Sequence, residues 1–68
     1  MKHGVVKWFS AEKGYGYIIG DEDGKDIFVH FTGINADGYR SLDQGMNVEY
    51  EESTNSRGRI ATNVTVLD

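Results

Sequence analysis

Five short runs of alternating or aliphatic residues, separated by turns rich in glycine and polar residues, predict an all-β chain that closes into a small barrel. Three observations lead there. Side chains alternate at a period of two, most clearly in Tyr15-Gly16-Tyr17-Ile18 and in Asp26-Ile27-Phe28-Val29-His30. No stretch has the apolar spacing of an amphipathic helix. Nine glycines and no proline supply the breaks. With no helix to cover a sheet, the inner face must be covered by the sheet itself.

The elements follow in order. Val5 to Phe9 is the first expected strand, Tyr15 to Ile19 the second and Asp26 to His30 the third. Between the last two, Asp21-Glu22-Asp23-Gly24 is a hairpin signal with an acidic tip. A loop-rich stretch from Phe31 to Gly45 is broken by Gly33, Gly38 and Gly45. Asn47 to Glu52 alternates Val48 and Tyr50 with Glu49 and Glu51, which suits a half-solvated fourth strand. Thr54 to Gly58 is a polar turn, and Ile60 to Leu67 is the fifth strand, with Val64 and Val66 on one face. The expected core is Val6, Ile18, Ile27, Val29, Ile34, Val48, Val64 and Val66.

Sixty-eight residues make a single domain, 1–68, that buries roughly 60% of its unfolded surface. The chain has no cysteine, so neither disulfides nor thiolate metal sites staple it. Met1-Lys2-His3-Gly4 leads directly into strand-like sequence with no apolar leader, and no run approaches the roughly 20 residues of a membrane span. A cytoplasmic monomer is the expectation. Eleven acidic residues against seven basic ones give a net charge of −4, which disfavours duplex binding. Distribution matters more than the sum. The acids gather at Asp21-Glu22-Asp23 and at Glu49, Glu51 and Glu52; Lys7 and Lys13 lie beside the aromatic segments; Arg40, Arg57 and Arg59 lie in or next to loops.

Pairing of the second and third strands gives a sheet with two chemistries. Ile18, Ile27 and Val29 make a face suited to a core. Tyr15, Tyr17, Phe28 and His30 make one of rings with lysine beside it. Every nucleobase has a π-face, so such a face is a stacking platform for single-stranded nucleic acid, its rings turned to solvent. Aromatic residues on strands usually fill a core, but here the aliphatics already occupy the opposite face. Phe9 fits either a flank or the core.

Other chemistries fit less well. His30 and His3 lack companions at metal-ligand spacing, so a stacking role for His30 outweighs a metal. Gly14 and Gly16 precede no helix that would hold a phosphate, and they serve close approach and strand curvature instead. Asp21 to Asp23 lacks the spacing of a calcium loop and is expected to be a solvated hairpin tip. No nucleophile lies beside a base, which sets enzymes aside, and no cofactor is implied. The rival is a barrel that binds protein or polysaccharide through exposed rings. Cations interleaved with the rings favour nucleic acid.

Lys7-Trp8-Phe9, Lys13-Gly14-Tyr15-Gly16-Tyr17-Ile18 and Ile27-Phe28-Val29-His30-Phe31 strongly resemble the bacterial cold-shock proteins. Lys13 to Ile18 is similar to that family's first ribonucleoprotein motif and Ile27 to Phe31 to its second; the likeness extends through Gly38-Tyr39-Arg40 to Ala61-Thr62-Asn63-Val64. The resemblance implies a five-stranded antiparallel Greek-key barrel of the oligonucleotide-binding class. It also implies binding of single-stranded RNA and DNA, with pyrimidine-rich stretches favoured, and an RNA-chaperone role in the cold that regulates transcription and translation. Carried over by position, the stacking residues are Trp8, Tyr15, Tyr17, Phe28, His30, Phe31 and Tyr39. Lys7, Lys13 and Arg57 meet the backbone, Arg40 lies in the Tyr39 loop, and Asp26 accepts hydrogen bonds from base edges. Tyrosine stands at 15, 17 and 39 where phenylalanine is common; the ring face survives. Ser10 replaces the usual asparagine, Val5 a frequent lysine and Arg59 a common proline. Trp8 raises a conflict. Strict alternation places it inward beside Val6, whereas the resemblance requires both Lys7 and Trp8 on the binding side. Both conditions hold only if the first strand bends or bulges near Trp8, as barrel closure permits.

Overall fold

A computed structural model describes residues 1–35, 41–56 and 58–67. Its strands are β1 (Lys2–Ser10), β2 (Tyr15–Gly20), β3 (Asp26–His30), β4 (Asn47–Asn55) and β5 (Gly58–Leu67). One 3-10 turn, Phe31–Gly33, follows β3. The strands close in the order β1-β2-β3-β5-β4, with β4 returning to β1. Every pairing is antiparallel except β3 with β5, which is parallel and confined to Phe28↔Ile60 and Val29↔Ala61. The barrel thus has the five strands expected, while β1, β4 and β5 run longer than the alternation alone marks. The polar turn shortens accordingly, because Thr54 and Asn55 already pair with Arg59 and Gly58.

The core follows the inward half of each alternation. Val6, Ile18, Ile27, Val29, Ile34, Val48 and Val64 are buried as expected, joined by Leu42, Tyr50 and Ala61. Tyr50 lies on the Val48 face of β4, where its ring fills the barrel. Val66 departs from expectation: it pairs with buried Val48 yet stays 36% exposed. The β3 pairing ends at Ala61, so among the described residues no strand pairs with Val66 on its other side.

Two bulges break the alternation. In β1, Val6 pairs with Ile18 but Trp8 with Tyr17, which leaves Lys7 as the extra residue. In β5, the register against β4 slips between Thr65 and Thr62, where Asn63 takes a left-handed φ of 50°. Asparagine tolerates that conformation better than most residues. The slip puts Ala61 and Val64, three apart, both into the core. Among the described residues no helix is long and apolar enough to cross a membrane.

Candidate nucleic-acid interface

The β1 bulge settles the Trp8 conflict. With Lys7 looped out, Lys7 and Trp8 are both exposed and Phe9 turns inward to pack against the core. From Trp8 the register runs to Tyr17, then Phe28, then Ile60, one row across four strands on the outer surface. A second row runs Ser10, Tyr15, His30. Residues paired in this way share a sheet face, so the rows place the rings side by side.

The rings touch. Trp8 meets Tyr15 at 6.0 Å and Tyr17 at 5.4 Å between centroids, and Phe28 meets each of those tyrosines at 5.7 Å. None of these pairs stacks face to face; interplanar angles run from 31° to 78°. Tyr15, Tyr17 and Phe28 lie on the outer face as the alternation suggests, but are half-buried. Trp8 at 38% and Phe31 at 41% are exposed, and so is His30. His30 lies 4.7 Å from the Phe31 ring. Its Nδ1 accepts from the Thr32 backbone N–H at 3.4 Å and lies 2.9 Å from the Thr32 hydroxyl, which holds the imidazole at the start of the 3-10 turn.

Glycine makes this face possible at two places. Gly14 has φ +81° and accepts the Phe31 N–H at 2.8 Å. A Cβ there would meet the Phe31 ring at 2.9 Å. At Gly16 a Cβ would run into the Trp8 carbonyl and lie 2.6 Å from the Phe9 Cα, so β1 can cross β2 closely only over a bare backbone. Ser10 closes the turn between the strands by accepting the Lys13 N–H at 3.2 Å.

Charge on this face is largely paired. Lys7 Nζ donates to Asp26 Oδ2 at 2.8 Å. Arg59, at the edge beside Phe28, donates through Nε and Nη2 to both Glu52 oxygens at 2.9 Å and through Nη2 to Asp23 at 3.2 Å. Lys2 reaches Glu22 at 3.7 Å and Glu52 at 3.4 Å. The hairpin tip is therefore exposed but also tethered by Arg59 and Lys2, a link between distant residues that no local pattern signals. The Arg59 fork holds the Glu52 carboxyl below its usual range, and the Lys25 N–H, with Arg59, does the same for Asp23. Lys13 is exposed and makes no ion pair with the described residues. Tyr39, Arg40 and Arg57 lie outside the described residues.

Two recesses flank the Phe28 ring. One, about 370 Å³, is lined by His30, Thr32, Asn55, Ile60 and Thr62 among others. The other, about 350 Å³, is lined by Tyr17, Asp26, Phe28 and Arg59.

Fold and outer surface together define a small β-barrel of the oligonucleotide-binding class. Residues 2–67 match the family described as the 'Cold-shock' DNA-binding domain. The chain is 56% identical to cold shock protein 2 of Lactiplantibacillus plantarum over 64 residues, covering 94% of this chain and 96% of that one. Identity to cold shock protein CspA of Staphylococcus aureus is 54% over 68 residues, 98% of this chain and all of the relative. Among solved structures, drosophila Unr CSD456 superposes with a TM-score of 0.81 at 21% identity, over 98% of this chain and 26% of that longer one, a likeness of fold. The chain belongs to the cold-shock domain family, and nucleic-acid binding is the activity that this membership carries.

Proposed function

We propose that the barrel binds single-stranded RNA and DNA by stacking bases on Trp8, Tyr15, Tyr17, Phe28, His30 and Phe31, with Tyr39 adding to that set. Lys7, Lys13, Arg40 and Arg57 meet phosphate, and Asp26 accepts from base edges. By holding RNA unpaired the protein acts as an RNA chaperone. It serves the response to cold and the regulation of transcription and translation, as a cytoplasmic monomer that favours pyrimidine-rich strands. The observation that carries this reading is the continuous ring contact from Trp8 through Tyr15 and Tyr17 to Phe28 on the outer face. Stacking suits an acidic protein, because base–aromatic contact is worth about 1–3 kcal/mol per base without need of net positive charge.

The test is titration with oligothymidine, a duplex of equal length and an oligosaccharide, followed by Trp8 emission. Quenching by the single strand alone is expected; quenching by the oligosaccharide would favour a carbohydrate-binding barrel. The chaperone role is read from a hairpin RNA carrying a fluorophore and quencher on its ends. Excess protein should lower its melting temperature by mass action on the open strand. A rise would sink the chaperone role even with binding intact.

A further inference from the structure

The recess walled by Tyr17, Asp26, Phe28 and Arg59 sets a guanidinium beside the Asp26 edge contact of the platform. Arg59 is held in a fixed pose: Nε and one Nη2 proton engage Glu52, and Nη2 also reaches Asp23. Guanidinium carries five N–H donors. The two on Nη1 make no hydrogen bond to any described residue and remain for a ligand. Asp26 is similarly half-used: Lys7 binds Oδ2 at 2.8 Å, while Oδ1 has no partner among the described residues.

Phosphate does not suit this place. Arg59 lies between the Asp23 and Glu52 carboxylates, and Glu52 also has Lys2, so a phosphate at Arg59 would find no uncompensated cation. A base edge that offers donors to carboxylate and an acceptor to guanidinium does suit it. On its Watson–Crick edge guanine presents two neighbouring donors, N1–H and N2–H, next to the O6 acceptor. Uracil and thymine offer one donor there, and adenine and cytosine only an exocyclic amine. The Asp26 carboxylate can take both guanine donors, one on Oδ1 and one on the Oδ2 lone pair that Lys7 leaves, and arginine paired with O6 or N7 is the commonest specific contact to that base. Tyr17 and Phe28 supply the ring surface on which the base lies.

We propose that Arg59, acting with Asp26, makes this recess a guanine-selective subsite within a platform that otherwise takes pyrimidines. The inference rests on the stacking function above and adds to it the identity of one base. Glu52 and Asp23 act as positioning residues that hold the Arg59 fork.

The test compares three hexanucleotides with the wild-type protein: all thymine, thymine with one central guanine, and the same with inosine, which lacks the 2-amino group. Guanine should tighten binding roughly tenfold over all-thymine, within the usual worth of one bidentate base contact. Inosine should forfeit a clear part of that gain. Arg59→Met and Arg59→Lys, each measured at a temperature where it is folded, should bring the guanine-to-thymine ratio toward one. Equal affinity for the guanine and thymine strands in the wild type would overturn the subsite while leaving the platform intact. An Arg59→Met loss of the same factor for both strands, with a shallower salt dependence, would make Arg59 a phosphate contact and also overturn it. Failure of every strand to bind would overturn the platform and the subsite together.

Discussion

Replacing Phe28 with Ala separates binding from folding at the residue that lies between the two recesses. Its ring contacts Tyr15 and Tyr17, both at 5.7 Å, and lines both recesses. Each aromatic pair contributes about 0.5–1.5 kcal/mol beyond its area, so the variant should lose roughly 1–3 kcal/mol of stability. For a barrel of this size, each kcal/mol corresponds to a fall of about 4–8 °C in Tm. Binding loses one base stack, again about 1–3 kcal/mol, or roughly a 5- to 150-fold weaker Kd. The two effects are separated by measuring the folded fraction by far-UV circular dichroism and titrating oligothymidine at a temperature where the variant remains folded. Trp8 still reports, because its ring neighbours are Tyr15 and Tyr17 and not Phe28. If affinity per folded molecule were unchanged, Phe28 would be structural only and the stacking surface would have to lie elsewhere.

Four further outcomes are expected. Gly16→Ala should destabilise the barrel by about 1–3 kcal/mol in urea, since the new methyl meets backbone of β1 that cannot move aside. Asn63→Val should cost about 1–2 kcal/mol for the left-handed bulge residue, whereas Asn63→Gly should be close to neutral; equal losses would mean the asparagine side chain itself matters. Glu52 and Asp23 have carboxyls held below their ordinary range by Arg59 and the Lys25 N–H, so their contribution is complete above roughly pH 4 and lost as pH falls through the lowered folded values. Glu52→Gln should therefore flatten the acid limb of stability against pH, and an unchanged limb would refute the tether. Lys13→Ala should reduce the slope of log K against log salt by about 0.7, the worth of one single-strand phosphate contact; no change would place Lys13 away from the backbone.

Much of the fold was legible because period-two alternation survives wherever a strand buries one face. Ile18, Ile27, Val29 and Val48 announce themselves in that way. The Trp8 bulge was legible for a different reason: alternation and family motif gave opposite answers at one residue, and an inserted residue reconciles them. The Asn63 bulge carried no such conflict. Its only local signal was an asparagine, a residue at ease with positive φ, in the middle of an otherwise β-branched run. Tyr50 and Val66 illustrate the limits of pattern. Tyr50 shares the Val48 face but is absent from the expected core, yet it fills the interior; Val66 has the right parity but lies past the end of the strand that would cover it. The Arg59–Glu52–Asp23 fork was out of reach, since Asp23 and Arg59 stand 36 residues apart and meet only when the barrel closes.

The parallel join between β3 and β5 is the barrel's narrow seam. Two register pairs tie these strands, while β4 and β5 run together along nearly their whole length. Parting the seam and the Ile34–Val64 bridge beyond it would leave the β1–β2–β3 meander and the β4–β5 hairpin each intact, so amides there should exchange through a local opening before global unfolding. Phe28 stands on that seam, paired with Ile60. A nucleic-acid strand lying over both residues would suture it from outside. Occupancy would then register as slowed hydrogen exchange along β3 and β5, a stiffening of the protein with no change in its shape.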